Sequence, residues 1–205
     1  MPTNDHILRV QMNRLTSDCP ATRRDAALEL GKFPGSAAAA ALEGALEDPD
    51  VGVRARAAFS LRRVGAAHSV GILSRHLLDP REDDGVRLEI LLTLGHIRAR
   101  RAEEAIVAAT HHDSPRIRAT ACLALGQQRC RRSSSVEVLL GLLDDSAWEV
   151  RWQAAAALAR IGEIRVLPAL QQLLSDPDTP PDIRSEIDKM VGVLSTRSPE
   201  PETSE

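Results

Sequence analysis

The chain has no tyrosine, and only two tryptophans and two phenylalanines. With so few aromatic rings, Ala and Leu must fill the core, which suits closely packed helices. Lysine is nearly missing too. Of 26 basic residues only Lys32 and Lys189 are lysine, so the positive charge is carried by arginine, whose planar guanidinium binds a carboxylate through two hydrogen bonds. The three cysteines, Cys19, Cys122 and Cys130, are odd in number and lack metal-ligand spacing, which argues against a disulfide framework and a zinc site. No apolar run approaches the roughly 18 residues that a membrane helix needs. The polar N-terminus lacks the basic, apolar, small-residue order of a signal peptide. The net charge of −3 predicts no general affinity for nucleic acid. A cytoplasmic chain that contacts no membrane is expected.

What the sequence does have is a period. Arg recurs at Arg23, Arg54, Arg87, Arg118, Arg151 and Arg184, in steps of 31, 33, 31, 33 and 33 residues. Each follows an acidic turn and precedes small or apolar residues three and four positions later, an apolar residue at +7 and Gly at +8 or +11. A fixed period of this length marks a solenoid of stacked supersecondary units. A second apolar pattern precedes each Arg: Leu15, Leu46, Leu77, Thr110, Leu143 and Leu174 recur in the same rhythm. Apolar positions at i, i+3, i+4 and i+7 predict an amphipathic helix, so each unit reads as a helix pair joined by an acidic turn. Pro49, Pro80, Pro115 and Pro177 punctuate these turns, where a first-turn proline costs a helix little. The predicted units span about 5–33, 36–64, 67–97, 102–127, 134–161 and 164–195 within a repeat region 1–195. The Ser, Pro and Glu-rich tail 196–205 is expected to be disordered.

With Val-Arg or Ile-Arg at 53–54, 86–87, 117–118, 150–151 and 183–184, an Asp-bearing turn and an Ala-Ala/Leu/Gly tail, the unit resembles a HEAT repeat. It is the short HEAT-like type found in phycobilisome lyase subunits. Thr22, Thr110 and Asp188 depart from the pattern, the last as suits a terminal cap facing water. The resemblance implies an all-α, right-handed α-solenoid of about six HEAT-like helix pairs. It also implies that Arg23, Arg54, Arg87, Arg118, Arg151 and Arg184 form a structural ladder with the turn aspartates. The spacing allows Asp18 to meet Arg23, Asp48 to meet Arg54, Asp113 to meet Arg118, and Asp145 to meet Arg151. A residue present in every unit cannot mark a single active site.

Two surfaces are candidates for binding. Loops between units are basic, and Arg98, Arg100, Arg101, Arg129, Arg131 and Arg132 exceed what helix capping needs, which suits an acidic partner. Without interleaved aromatics they form no base-stacking platform, so nucleic acid is not an expected partner. Second helices of HEAT-like units line the concave side. There the stripe at −3, +1, +5 and +9 from each Arg is expected to face outward, and it is more apolar than a solvated face. Trp148, Trp152, Leu88, Leu92, Leu123 and Phe59 are the expected apolar contacts, with His96, Arg63 and Arg160 on their rim. Contiguous apolar surface marks partner sites, and Trp is enriched among binding hot spots.

Catalytic constellations are missing. Six histidines are scattered, and the chain has no His-Glu dipeptide, whereas the HEAT-repeat enzyme deoxyhypusine hydroxylase builds its metal site from such dipeptides. Trp148, Glu149 and Trp152 only faintly echo the aromatic cleft of HEAT-like alkylpurine DNA glycosylases. Cys130 lies between Arg129 and Arg131, which favours a thiolate, but no base is placed beside it. The reading is a non-enzymatic adaptor without cofactor, monomeric or part of a heteromeric complex, that binds a protein partner on its concave face. A bilin lyase or chromophore-handling subunit, and weak phosphate-backbone binding by the basic edge, are the alternatives.

Overall fold

The computed structural model describes residues 4–65, 67–97, 100–128, 133–177 and 179–196. Among them every regular element is helical. The elements pair in chain order: α1 (Asn4–Arg14) with α2 (Pro20–Leu30), α3 (Ser36–Ala45) with α4 (Val51–Val64), and α5 (Val70–Leu78) with α6 (Asp84–Ile97). The series continues with α7 (Glu103–Ala109) and α8 (Pro115–Gln128), α9 (Ser133–Gly141) and α10 (Trp148–Ile161), and α11 (Leu167–Ser175) and α12 (Pro181–Ser195). Single 3-10 turns lead into α5, α7 and α11 and follow α9. The acidic tail expected to be disordered lies outside the described residues beyond Thr196.

The periodic positions build the core. Residues three and four after each Arg, such as Ala26 and Ala27, Ala57 and Ala58, or Ala121 and Cys122, are fully buried. So are Leu30, Leu61, Leu94, Leu125 and Leu158 at +7, each contributing on the order of 2 kcal/mol of burial. The pattern fails in the last unit, where Asp188 takes the +4 position and is exposed. Small residues on the second helices let these pack closely from unit to unit, α2 on α4, α4 on α6, α6 on α8 and α8 on α10, while first helices touch each other more sparingly. The second helices thus form the closer-packed layer of the stack.

The two glycine positions do different work. At +8, an added Cβ on Gly95 would lie 2.9 Å from the Ala124 Cα, and one on Gly126 would lie 2.8 Å from the Ala157 Cα. These glycines let adjacent second helices touch backbone to backbone. At +11, Gly65 and Gly162 adopt φ of 70° and 86° and end α4 and α10, the left-handed cap that glycine makes without strain.

Candidate functional site

The repeated arginine has two jobs, and the structure corrects the expected ladder. Arg23, Arg54, Arg118 and Arg151 each use Nη1 to hold carbonyls of their own turn: Ser17 and Asp18, Asp48 and Pro49, His112 and Asp113, Asp145 and Ser146. The carboxylate partner comes from the following unit instead. Arg23 binds Asp48 at 2.7 and 2.8 Å, Arg54 binds Glu82 at 2.7 and 3.0 Å, and Arg118 binds Asp145 at 2.8 Å through both Nε and Nη2. Each of these carboxylates also accepts a backbone N–H of its own turn: that of Asp50, Asp83 and Ala147 respectively. The fork from the preceding arginine holds Asp48 and Asp145 below the usual carboxylate range. Burial pushes Glu82 up, but its bonds to Arg54, the Asp83 N–H and His76 outweigh this, and the group is lowered.

Two rungs differ. Arg87 turns back into its own unit, onto Asp84 at 2.8 Å and the Asp79 carbonyl at 2.6 Å. Arg184 binds the carbonyls of Thr179, Leu174 and Asp176. A further clamp supports the first junction, where Arg24 lies across Gly52 and grips Asp50 at 2.8 and 2.6 Å. That grip lowers Asp50 to about 2. Asp50 also caps α4 by accepting from the Val53 N–H. The repeated arginines are thus committed to the scaffold.

Burial along the second helices departs from the expected stripe. Trp152 is only 7 % exposed and belongs to the hydrophobic core, so it is not the exposed anchor expected of it. Ala119 and Ala156 are buried likewise. The +1 position is buried only in the fourth and fifth units, at Ala119 and Trp152, while Arg24 is exposed and Ala55 and Leu88 are half-buried; Ala156 is the buried +5 residue of the fifth unit. At +5 Leu28, Phe59, Leu92 and Leu123 are half-buried, a row of apolar side chains spanning four units. At +9 Lys32, Arg63, His96 and Arg160 are exposed. Arg63 and Arg160 form no ion pair among the described residues. Phe59 carries the Arg62 guanidinium 4.8 Å above its ring, a cation–π contact. Leu88 is half-buried, as is Trp148, whose indole N–H is enclosed without a partner among the described residues.

Of the basic edge, Arg100 and Arg101 are exposed and unpaired among the described residues. Arg98, Arg129, Arg131, Arg132 and Cys130 lie outside them. Burial pushes the Cys122 thiol up to about 12, and backbone N–H and side-chain bonds from Thr22 lower that of exposed Cys19. His76 lies between two carboxylates, Nδ1 3.0 Å from Glu82 and Nε2 3.3 Å from Glu47. Even so, no group of three His, Cys, Asp or Glu among the described residues is placed to hold a metal ion. Three grooves of about 360, 430 and 230 Å³ lie along the turn edge beside Arg54, Arg87 and Arg151. No described helix is long and apolar enough to cross a membrane.

Comparison with known proteins agrees with this geometry. A family model described as HEAT repeats matches residues 9–85, 77–132 and 109–188. Chicken (Gallus gallus) deoxyhypusine hydroxylase is 34% identical over 110 residues, covering 53% of this chain but only 36% of the hydroxylase. The chain therefore aligns with little more than a third of that relative. Among solved structures, an engineered protein superposes with a TM-score of 0.66 at 22% identity over 95% of this chain and 100% of the other. A designed armadillo repeat protein in complex with the peptide (KR)4 gives a TM-score of 0.65 at 16% identity, over 92% and 98% of the two chains.

Proposed function

This chain belongs to the HEAT-repeat family, and we propose that it is a non-enzymatic scaffold that holds a protein partner along the inner surface of its second helices. The observation that carries this reading is the half-buried row Leu28, Phe59, Leu92 and Leu123, in one register over four successive units. A row of this kind offers a partner continuous apolar contact. Exposed Arg63, His96 and Arg160 beside it supply the charged rim that orients a partner and excludes mismatched ones. Partner contacts fall to Phe59, Leu88, Leu92, Leu123 and Trp148, with Trp152 supporting them from the core.

The partial match to deoxyhypusine hydroxylase does not carry an enzymatic reading. The chain has no His-Glu dipeptide, and the described histidines and carboxylates do not converge into a metal-holding set. The residues present do not fit a metal centre of that kind.

The test is affinity capture from the native host with three versions of the chain: unaltered, Leu92→Asp with Leu123→Asp, and Leu78→Asp. Leu78 is 53% exposed on a first helix and serves as the control. The proposal expects a captured protein that is retained by the unaltered and Leu78→Asp chains and lost by the inner-surface variant, with equal helical circular dichroism in all three. A partner retained by the inner-surface variant, or lost only with Leu78→Asp, contradicts it.

A further inference from the structure

We infer that the protein partner presents an acidic amphipathic helix, which lies across α4, α6 and α8. The inference rests on the second-helix reading above and adds the chemistry of the occupant. Residues three and four apart share one face of a helix. Such sets are Arg56, Phe59 and Arg63 on α4, Glu89, Leu92 and His96 on α6, and Arg116, Thr120 and Leu123 on α8. α4 packs on α6 and α6 on α8, so half-buried Phe59, Leu92 and Leu123 stand side by side as an apolar row.

The charge around that row is mostly of one sign. Arg56 and Arg116 are exposed on its N-terminal side and Arg63 on its C-terminal side. None of the three forms an ion pair among the described residues. The ladder arginines of the same two helices, Arg54 and Arg118, are by contrast closed on carboxylates. Arg62 adds a fourth guanidinium, over the Phe59 ring. Against these stands Glu89, half-buried, with one carboxylate oxygen enclosed and without a hydrogen-bond partner among the described residues. The other acid of α6, Asp84, is paired with Arg87. Four guanidiniums thus face one carboxylate, and the excess is neutralised by an occupant that brings Asp or Glu. An occupant rich in Lys or Arg meets repulsion. Nucleic acid would meet the charge but leave the apolar row without a contact. At the places that Arg56 and Arg116 hold, the outer units carry exposed acids: Asp25 on α2, Glu149 on α10, and Asp182 and Glu186 on α12. These keep an acidic segment on the three central helices.

The spacing suits a helix. Arg56 and Arg63 are seven residues apart, about 10 Å along α4, which is close to the width of a helix with its side chains. Packed helices lie about 8–10 Å apart, close to the rise of about 10 Å over seven helical residues. A helix laid along the row therefore sets apolar residues at i, i+7 and i+14 on Phe59, Leu92 and Leu123. Its two flanks reach the arginines on either side. This is recognition of an amphipathic helix by its apolar face, with charge fixing which helix is accepted.

Two synthetic helical peptides test it against the whole chain by fluorescence anisotropy. Both carry Leu at i, i+7 and i+14; one has Glu on both flanks and the other has Lys there. The Glu peptide should bind at least about tenfold tighter than the Lys peptide at low salt, and the preference should shrink as salt rises. The triple variant Arg56→Glu, Arg63→Glu and Arg116→Glu should abolish or reverse the preference. Leu92→Asp with Leu123→Asp should abolish Glu-peptide binding. Arg81→Glu, at a turn side chain 90% exposed, should change nothing, and helical circular dichroism should be equal in all chains. A Lys peptide that binds as well as the Glu peptide, and is lost with Leu92→Asp and Leu123→Asp, overturns the acidic occupant while the second-helix surface stands. Glu-peptide binding that survives Leu92→Asp and Leu123→Asp overturns both. Absence of Glu-peptide binding up to about 1 mM, or its displacement by an equal concentration of a DNA duplex, overturns the inference.

Discussion

Arg118→Ala is the most informative single perturbation of the scaffold. The Arg118 and Asp145 side chains are 14% and 9% exposed, and the pair is closed by two hydrogen bonds of 2.8 Å. Removing the guanidinium leaves Asp145 enclosed with the Ala147 N–H at 2.8 Å as its remaining described donor. It also frees the carbonyls of His112 and Asp113, each held at 2.9 Å. Breaking a fully buried pair from one side costs about 3–5 kcal/mol. This pair sits at the rim of the stack, so about 2–3 kcal/mol is expected, or roughly 5–10 °C of melting temperature for a chain of this size. Arg184→Ala, whose described bonds go to carbonyls of the terminal unit, should cost less. The assay is a thermal melt of both variants, Asp145→Ala and the Arg118→Ala/Asp145→Ala double variant. The double variant should fall short of the sum of the two singles by about 1–3 kcal/mol. Additive losses, or equal shifts for Arg118→Ala and Arg184→Ala, refute the inter-unit ladder.

Three further outcomes follow from the same packing. Gly126→Ala should destabilise by about 1–3 kcal/mol because its Cβ meets the Ala157 backbone, whereas Gly44→Ala, with nothing within 4 Å, should stabilise by about 0.5–1 kcal/mol; chemical denaturation separates the two signs. Trp152→Ala should lower stability by about 3–5 kcal/mol as a core truncation, and a melt within a degree or two of the unaltered chain would return Trp152 to the surface. Asp48, Asp50, Glu82 and Asp145 are all lowered in the folded chain. A carboxylate lowered by folding adds stability that is complete above its unfolded value, near 4, and lost as pH falls toward its folded value. Melting temperature should therefore hold from pH 7 to about 5 and drop steadily towards pH 2, with a smaller acid loss in Arg118→Ala; a flat profile contradicts the charge assignment.

The helix pairs were legible because burial at +3, +4 and +7 repeats with the arginine, and Ala26, Ala57 and Leu125 answer to that rhythm. The direction of the ladder was not. Asp48 lies six residues before Arg54 and 25 after Arg23, and sequence spacing admits either partner. Only the stacking of units decides between them, because it sets Arg23 beside the next turn and leaves Arg54 to hold its own turn's carbonyls. Trp152 was misplaced for a related reason. A stripe counted on one isolated helix omits the packing of its neighbours, which encloses Ala119, Trp152 and Ala156 while Arg24 stays exposed. Phe59, Leu92 and Leu123 at +5 are half-buried, and Ala156 at the same position is buried.

The central claim is that the second-helix surface receives a protein partner. Its most direct test is hydrogen exchange of the chain alone and in complex with the protein it captures. Slowed exchange concentrated in α4, α6 and α8, around Phe59, Leu92 and Leu123, is the predicted footprint. Protection confined to the first helices or the basic inter-unit loops, with α4, α6 and α8 unchanged, would contradict it.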